Sequence, residues 1–202
     1  MKVLVATTNR GKLEEIREIL TYPGKDVLGL DDVHSVPEPD ETGTTFGENA
    51  LIKARYYYTL TGLVTIADDS GLEVEELEGG PGIKSARYAG LGATDQDRID
   101  KLLAELNRVD ENCRGARFVC AAAIIWEHGQ RLFVEEVSGK ILNWPRGSSG
   151  FGYDPLFYYP QLNKTFAELS KAQKSEVSHR GKAFRRLACW LQEGFLDWKL
   201  TC

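Results

Sequence analysis

Lys2-Val3-Leu4-Val5-Ala6-Thr7-Thr8-Asn9-Arg10-Gly11-Lys12-Leu13 reads as a short apolar strand, a polar loop and the first turn of a helix. The strand is Lys2 to Ala6 and the loop is Thr7 to Lys12. Leu13, Ile16 and Leu20 then fall at i, i+3 and i+7, with Glu14, Glu15 and Glu18 turned outward, which is an amphipathic helix. A strand entering a helix through a small polar loop presents free backbone N–H groups and the positive end of the helix dipole. That is a ready phosphate site. Gly11 lets backbone approach closely, and Lys12 adds a point charge. The loop is not a Walker A motif, because Ala6 stands where its first glycine would be and Leu13 follows the lysine. An ordinary helix start, with Asn9 near the cap, fits the same residues equally well.

Working outward, helices and strands alternate. Thr45-Phe46-Gly47-Glu48 predicts a capping box, with Glu48 reaching back to Thr45, and a helix to about Leu60. Leu63 to Ala67 predicts a buried strand, and Leu72 to Leu77 a second, half-exposed one. Gly79-Gly80-Pro81-Gly82 predicts a turn. Thr94 caps a helix striped by Ile99, Leu102, Leu103 and Leu106. Ala116 to Trp126 and Arg131 to Ile141 predict a hairpin turning at Glu127 to Gln130. Gly147 to Tyr159 is a glycine- and aromatic-rich loop. Thr165-Phe166-Ala167-Glu168 is a second capping box, and a last helix carries Phe184, Leu187, Ala188 and Leu191. The pattern predicts an α/β fold with a mixed sheet, in one domain over residues 1–202.

Composition narrows the function. The 202 residues carry 30 acidic and 25 basic side chains, a net charge of −5, which argues against a basic nucleic-acid coat. At 42% hydrophobic and 27% charged, the chain has the make-up of a soluble globule. Its longest apolar run, Phe118 to Trp126, is far below the twenty or so residues of a membrane helix. The first strand is too short for a signal-peptide core. Cys113, Cys120, Cys189 and Cys202 lack CxxC spacing and are expected to be reduced thiols, so a cytoplasmic protein is expected, with no membrane and no nucleic-acid partner. Charge is uneven: Lys140 to Arg186 holds nine basic and three acidic residues, while Asp31 to Ala50 holds six acidic and none basic. Two solvated faces would explain that. So would a site where carboxylates hold a metal and cations hold phosphate oxygens.

Four further stretches could carry chemistry. Asp68-Asp69-Ser70-Gly71 follows a predicted strand directly, and neighbouring strand residues face opposite ways, so one aspartate is expected in a site and the other bracing the turn. A carboxylate there can bind Mg²⁺ or take a proton from water; a plain polar turn is the alternative. Asn49 and Lys53 share a helix face at i, i+4. Ser149-Gly150-Phe151-Gly152-Tyr153-Asp154-Pro155 places aromatics on backbone that a flat ligand can approach, and stacking a base is worth roughly 1–3 kcal/mol. A loop anchored in the core by its rings competes with that. Lys174 and Ser178-His179-Arg180 offer donors to carbonyl or phosphate oxygens.

In this order, these stretches resemble the inosine triphosphate pyrophosphatase family, from Val3 to about Leu187. The resemblance rests on Ala6 to Lys12, Glu41-Thr42-Gly43 with Phe46, Glu48-Asn49-Ala50 with Lys53-Ala54, and Ala67 to Leu72. It continues through Pro81-Gly82, Ser85-Ala86-Arg87-Tyr88, Gly150 to Pro155, and Ser178 to Gly181. Ser149 stands where a glycine is expected, and Gly47 where a larger residue is common. The tail from Trp190 is not covered and carries no functional assignment.

The resemblance implies an elongated mixed sheet with helices on both sides and two lobes flanking a nucleotide cleft. It implies a homodimer, a Mg²⁺ requirement, and cleavage of XTP, ITP or dITP between the α and β phosphates. Asp69 would be proton acceptor and metal ligand, with Glu41 a second ligand, although Asp40 and Glu48 compete for that place. Thr7, Thr8, Asn9, Arg10, Gly11 and Lys12 would hold the triphosphate, and Ser70 would contact substrate. Phe151, Gly152, Tyr153, Asp154, Lys174, His179 and Arg180 would complete the pocket. Donors from His179 and Arg180, or from loop N–H groups, aimed at the 6-oxygen of hypoxanthine would be left unpaired by adenine, a mismatch worth about 10⁴-fold. Two alternatives stay open: a related pyrophosphatase preferring pyrimidine or modified triphosphates, and a non-catalytic nucleotide-binding module.

Overall fold

The computed structural model describes residues 2–20, 26–33 and 37–193. Its strands are β1 (Lys2–Val5), β2 (Asp26–Leu28), β3 (Val64–Val74), β4 (Gly115–Trp126), β5 (Gly129–Ile141), β6 (Phe157–Tyr159) and β7 (Lys164–Thr165). Its helices are α1 (Arg10–Leu20), α2 (Phe46–Thr61), α3 (Asp95–Glu105), α4 (Lys171–Val177) and α5 (His179–Glu193). The strands form one seven-stranded sheet in the order β2-β1-β3-β4-β5-β6-β7. β1 pairs in parallel with β2 and β3, while β6 pairs antiparallel with β5 and β7, so the sheet is mixed.

The chain divides into two compact units, residues 1–69, 120–135 and 180–202, and residues 70–119 and 136–179. In the first, alternation along the strands sends Val3, Val5, Ile66, Cys120, Ala122, Ile124 and Phe133 to one face. There they meet Ile16 and Leu20 of α1 and Phe184, Leu187 and Leu191 of α5. Each such buried aliphatic chain contributes roughly 1.5–3 kcal/mol. The opposite face is lined by the small residues Ala6, Ala67, Ala121 and Ala123, all fully buried, and it receives α2. In the second unit, Leu72, Val74, Phe118, Val137 and Ile141 pack with Ile99, Leu102 and Leu106 at α3 and with Leu156, Phe157 and Phe166.

Three details differ from the sequence reading. β3 is a single strand of eleven residues, so Asp68-Asp69-Ser70-Gly71 lies within a strand and not beyond its end. Turn-favouring side chains are overruled because both carboxylates are met by buried partners. Past the end of β1, marked by the hydrogen bond from Ala6 N to Ile66 O, the Ser85 hydroxyl accepts from Leu72 N at 2.9 Å and Glu73 bridges to Pro81. Second, Thr45 caps α2 by accepting from Glu48 N, but the Glu48 carboxylate reaches Thr44, accepting from its N–H at 2.7 Å and its hydroxyl at 2.9 Å. Third, β2, β6 and β7 are two- or three-residue strands too short to show a period. Cys113, Cys120 and Cys189 are free thiols, whereas Cys202 and most of the tail from Trp190 lie outside the described residues.

Candidate active site

The first unit builds a charged cluster around two consecutive aspartates. Asp68 and Ile66 share a strand face, so Asp68 points toward α1 and α5. Lys12 Nζ lies 3.0 Å from its Oδ2, and Arg180 Nε lies 3.5 Å from the same oxygen. Arg180 NH1 donates to Glu15 Oε2 at 2.7 Å. Lys12 is placed by the turn that opens α1: Asn9 Oδ1 accepts from Lys12 N at 3.0 Å, so Asn9 is the cap. Asp69 faces the other way, toward α2, where Asn49 Nδ2 donates to its Oδ2 at 3.2 Å. Lys53, one turn along α2, donates to the Asp68 carbonyl at 3.0 Å and pairs with Glu41 Oε1 at 2.7 Å.

The electrostatics separate the two aspartates. Burial alone would raise Asp68, but Lys12, Arg180 and Lys53 together hold its carboxyl well below the usual carboxylate range. Asp69 is pushed up, chiefly by burial, with Glu41 and Asp68 adding in the same direction against Lys12 and Lys53. Lys53 is opposed by burial, yet Asp68 and Glu41 raise it overall. Arg180 is likewise raised, because Asp68 and Glu15 outweigh its burial.

Among the described residues no group of three His, Cys, Asp or Glu side chains is arranged to hold a metal. Mg²⁺ does not need one: it usually takes one or two carboxylates and completes its shell with water and phosphate oxygens. The Glu41 charge adds to the raised proton affinity of Asp69, and these two carboxylates could hold such an ion.

The second unit gathers the other predicted residues. Asp154 Oδ2 accepts from Phe151 N at 2.9 Å and pairs with Lys174, whose Nζ lies 4.6 Å from the Phe151 ring centre. Gly150 has φ +79°, and an added Cβ would fall 2.1 Å from Asp154 Oδ2, so only glycine fits. Gly152 N donates to Asp95 Oδ2 at 2.7 Å, which fastens the loop to the first turn of α3. Tyr153 is a core residue, its hydroxyl donating to the Ser85 carbonyl at 3.0 Å. His179 is buried and stacks on Phe118 with ring centres 4.7 Å apart. Of the first loop, Thr7, Gly11 and Lys12 are half-buried, and Thr8, Asn9 and Arg10 are exposed. Ser70 follows Asp69 in β3 and is half-buried.

Sequence reasoning left Glu15 and Asp95 out of the site. Glu15 reads as an outward helix charge, and its partner is 165 residues away. A separate cavity of about 620 Å³ runs along α2 and includes Gly43 and Glu48, but none of Lys12, Asp68 or Asp69 lines it.

Known proteins resemble this chain over nearly its whole length. The model of the Ham1 family matches residues 3–190. A dITP/XTP pyrophosphatase of Vibrio cholerae is 47% identical over 195 residues, 95% of this chain and 97% of that protein. One from Bacillus licheniformis is 46% identical over 193 residues, 95% and 98% of the two chains. The structure of a HAM1 protein from Coxiella burnetii superposes with a TM-score of 0.88 at 41% identity, covering 96% of this chain and all of that one. The Staphylococcus aureus Ham1 protein gives 0.86 at 40%, covering 95% and 98%. With its mixed seven-stranded sheet and its charged strand–loop–helix cluster, this chain belongs to the Ham1 family.

Proposed function

We propose that the chain hydrolyses non-standard purine nucleoside triphosphates, dITP, XTP and ITP, to the monophosphate and pyrophosphate. The observation that carries this reading is the split pair of aspartates. Asp68 is held as an anion by Lys12 and Arg180 on one face of β3, while Asp69, on the other face, is buried against Asn49 with a raised proton affinity. Names of relatives at 46–47% identity supply the substrate class.

In this reading the backbone N–H groups from Thr7 to Lys12 and the Lys12 ammonium hold the phosphates. Asp69 accepts the proton of the attacking water as its oxygen bonds to the α phosphorus and the α–β bridging oxygen leaves with pyrophosphate. Lys12 and Lys53 supply positive charge where the leaving group gathers negative charge. Asp69 and Glu41 would hold Mg²⁺, which supplies charge neutralisation on the phosphate oxygens. Ser70 contacts substrate, and Phe151 to Asp154, Lys174, His179 and Arg180 serve the base. Donors from His179 and Arg180, or from loop N–H groups, would meet the 6-oxygen that hypoxanthine and xanthine carry and adenine lacks. A homodimer is part of the same reading, as is a reducing cytoplasmic setting suited to the free thiols.

Pyrophosphate release over a panel of dITP, XTP, dGTP, dATP, dTTP and UTP, with and without Mg²⁺, tests it. Turnover of dITP and XTP is expected to exceed that of the others. Asp69→Asn should lose about 10²–10⁴-fold in kcat while remaining folded, since the neutral amide removes a buried charge. Equal turnover of dTTP and dITP, or full activity in Asp69→Asn, would overturn it.

A further inference from the structure

We propose that Asn49 is a positioning residue that locks the Glu41 segment and the Asp69 carboxylate into one geometry. This rests on the reading of Glu41 and Asp69 as the cation-holding pair. Asn49 is 1% exposed, and its carboxamide works at both ends. Oδ1 accepts from Gly43 N at 2.8 Å, and Nδ2 donates to Asp69 Oδ2 at 3.2 Å. The amide orientation is fixed by chemistry: a backbone N–H can only donate, so the oxygen must face Gly43 and the NH₂ must face Asp69. A buried carboxamide with either end unmatched would be costly, so neither bond is dispensable.

Three further observations agree. Gly43 is pressed onto the amide so closely that an added Cβ would fall 2.6 Å from Asn49 Oδ1 and 2.7 Å from Glu48 Cβ. Glu48, beside Asn49, grips the next residue of the segment through Thr44. Lys53 repeats the arrangement one turn along, joining Glu41 to the Asp68 carbonyl. One face of α2 therefore ties the segment bearing Glu41 to the strand bearing Asp69, at residues spaced i, i+4. Asn49 acts through the Asp69 carboxylate; it sets how one carboxylate is turned relative to the other.

Asn49→Asp and Gly43→Ala test the proposal. Asn49→Asp keeps an acceptor for Gly43 and loses the donor to Asp69; Gly43→Ala disturbs the other end. Each variant is expected to lower kcat for dITP by 10–100-fold, with KM changed less than about threefold. Mn²⁺ affinity in the presence of α,β-methylene-dITP, followed by the free Mn²⁺ spin-resonance signal, should weaken by a comparable factor. Asn49→Ser, which keeps a smaller polar group, serves if Asn49→Asp does not fold. Wild-type kcat and Mn²⁺ affinity in folded variants would overturn the proposal. So would a loss confined to KM. Failure of the wild type to release pyrophosphate would sink the functional reading instead, and the Mn²⁺ comparison would still decide the role of Asn49.

Discussion

Lys12 and Asp68 form an ion pair, Nζ to Oδ2 3.0 Å, that joins the first turn of α1 to the middle of β3 with the carboxylate fully buried. Asp68→Asn keeps the shape and leaves Lys12 and Arg180 facing a neutral amide. A loss of about 3–5 kcal/mol in urea unfolding is expected, because breaking a buried pair strands its partners. The pH dependence follows from the depressed carboxyl. Above the unfolded value of about 3.9 its contribution is complete; below that the unfolded chain takes up a proton that the folded chain refuses, and stability falls. Asp68→Asn should flatten that acid limb, and an unchanged limb would show the charge is not held as described.

Arg180 is 3% exposed and is engaged by Glu15 as well as Asp68. Arg180→Ala is expected to lower stability by about 3–5 kcal/mol. It should also raise KM for dITP and narrow the preference over dGTP if the guanidinium reads the base. Steady-state kinetics beside denaturant melts separate the two roles. Lost stability with intact selectivity assigns Arg180 to holding Asp68 alone.

Cys120 is fully buried, and burial, with the charge of Asp68 adding to it, pushes its thiol far up. The folded chain keeps this proton where the unfolded chain loses it. The contribution is therefore complete below the unfolded thiol value of about 8.5 and is lost as pH rises above it, at about 1.4 kcal/mol per pH unit. Cys120→Ala should shallow the alkaline limb of stability. Iodoacetamide on the native protein should label the exposed Cys113 and Cys189 before Cys120.

Gly150→Ala places a methyl group against the Asp154 carboxylate at a positive φ. The strained backbone alone should cost about 1–2 kcal/mol. Disturbing the Asp154–Lys174 pair beneath Phe151 should raise KM for dITP more than it lowers kcat. Calorimetric melting and a KM series check both parts, and a fall in kcat at constant KM would contradict the placement of this loop at the base.

Much of this was legible in the chain itself. The strand, polar loop and amphipathic helix from Lys2 to Leu20, the Thr45 and Thr94 caps and the long hairpin all follow from local periodicity and cap chemistry. The full length of β3 is hidden in the sequence because Asp-Asp-Ser-Gly is turn chemistry in isolation, and the partners that meet it in a strand, Lys12, Asn49 and Arg180, are distant. Opposite roles for Asp68 and Asp69 were foreseeable from strand alternation. Alternation alone does not say which faces a site, since that depends on the helices covering each face; only the family resemblance points to Asp69. Glu15 and Asp95 stayed hidden for the same reason: each is an ordinary helix acid until a residue remote in sequence arrives beside it.

The alternation of β3 makes its phase indispensable. Deleting one residue ahead of Asp68 would trade the two aspartates across the sheet, aiming a deep anion at α2 and leaving Lys12 and Arg180 to confront the wrong carboxylate. The strand can absorb many exchanges of side chain, but its length is pinned by the electrical asymmetry between its two sides.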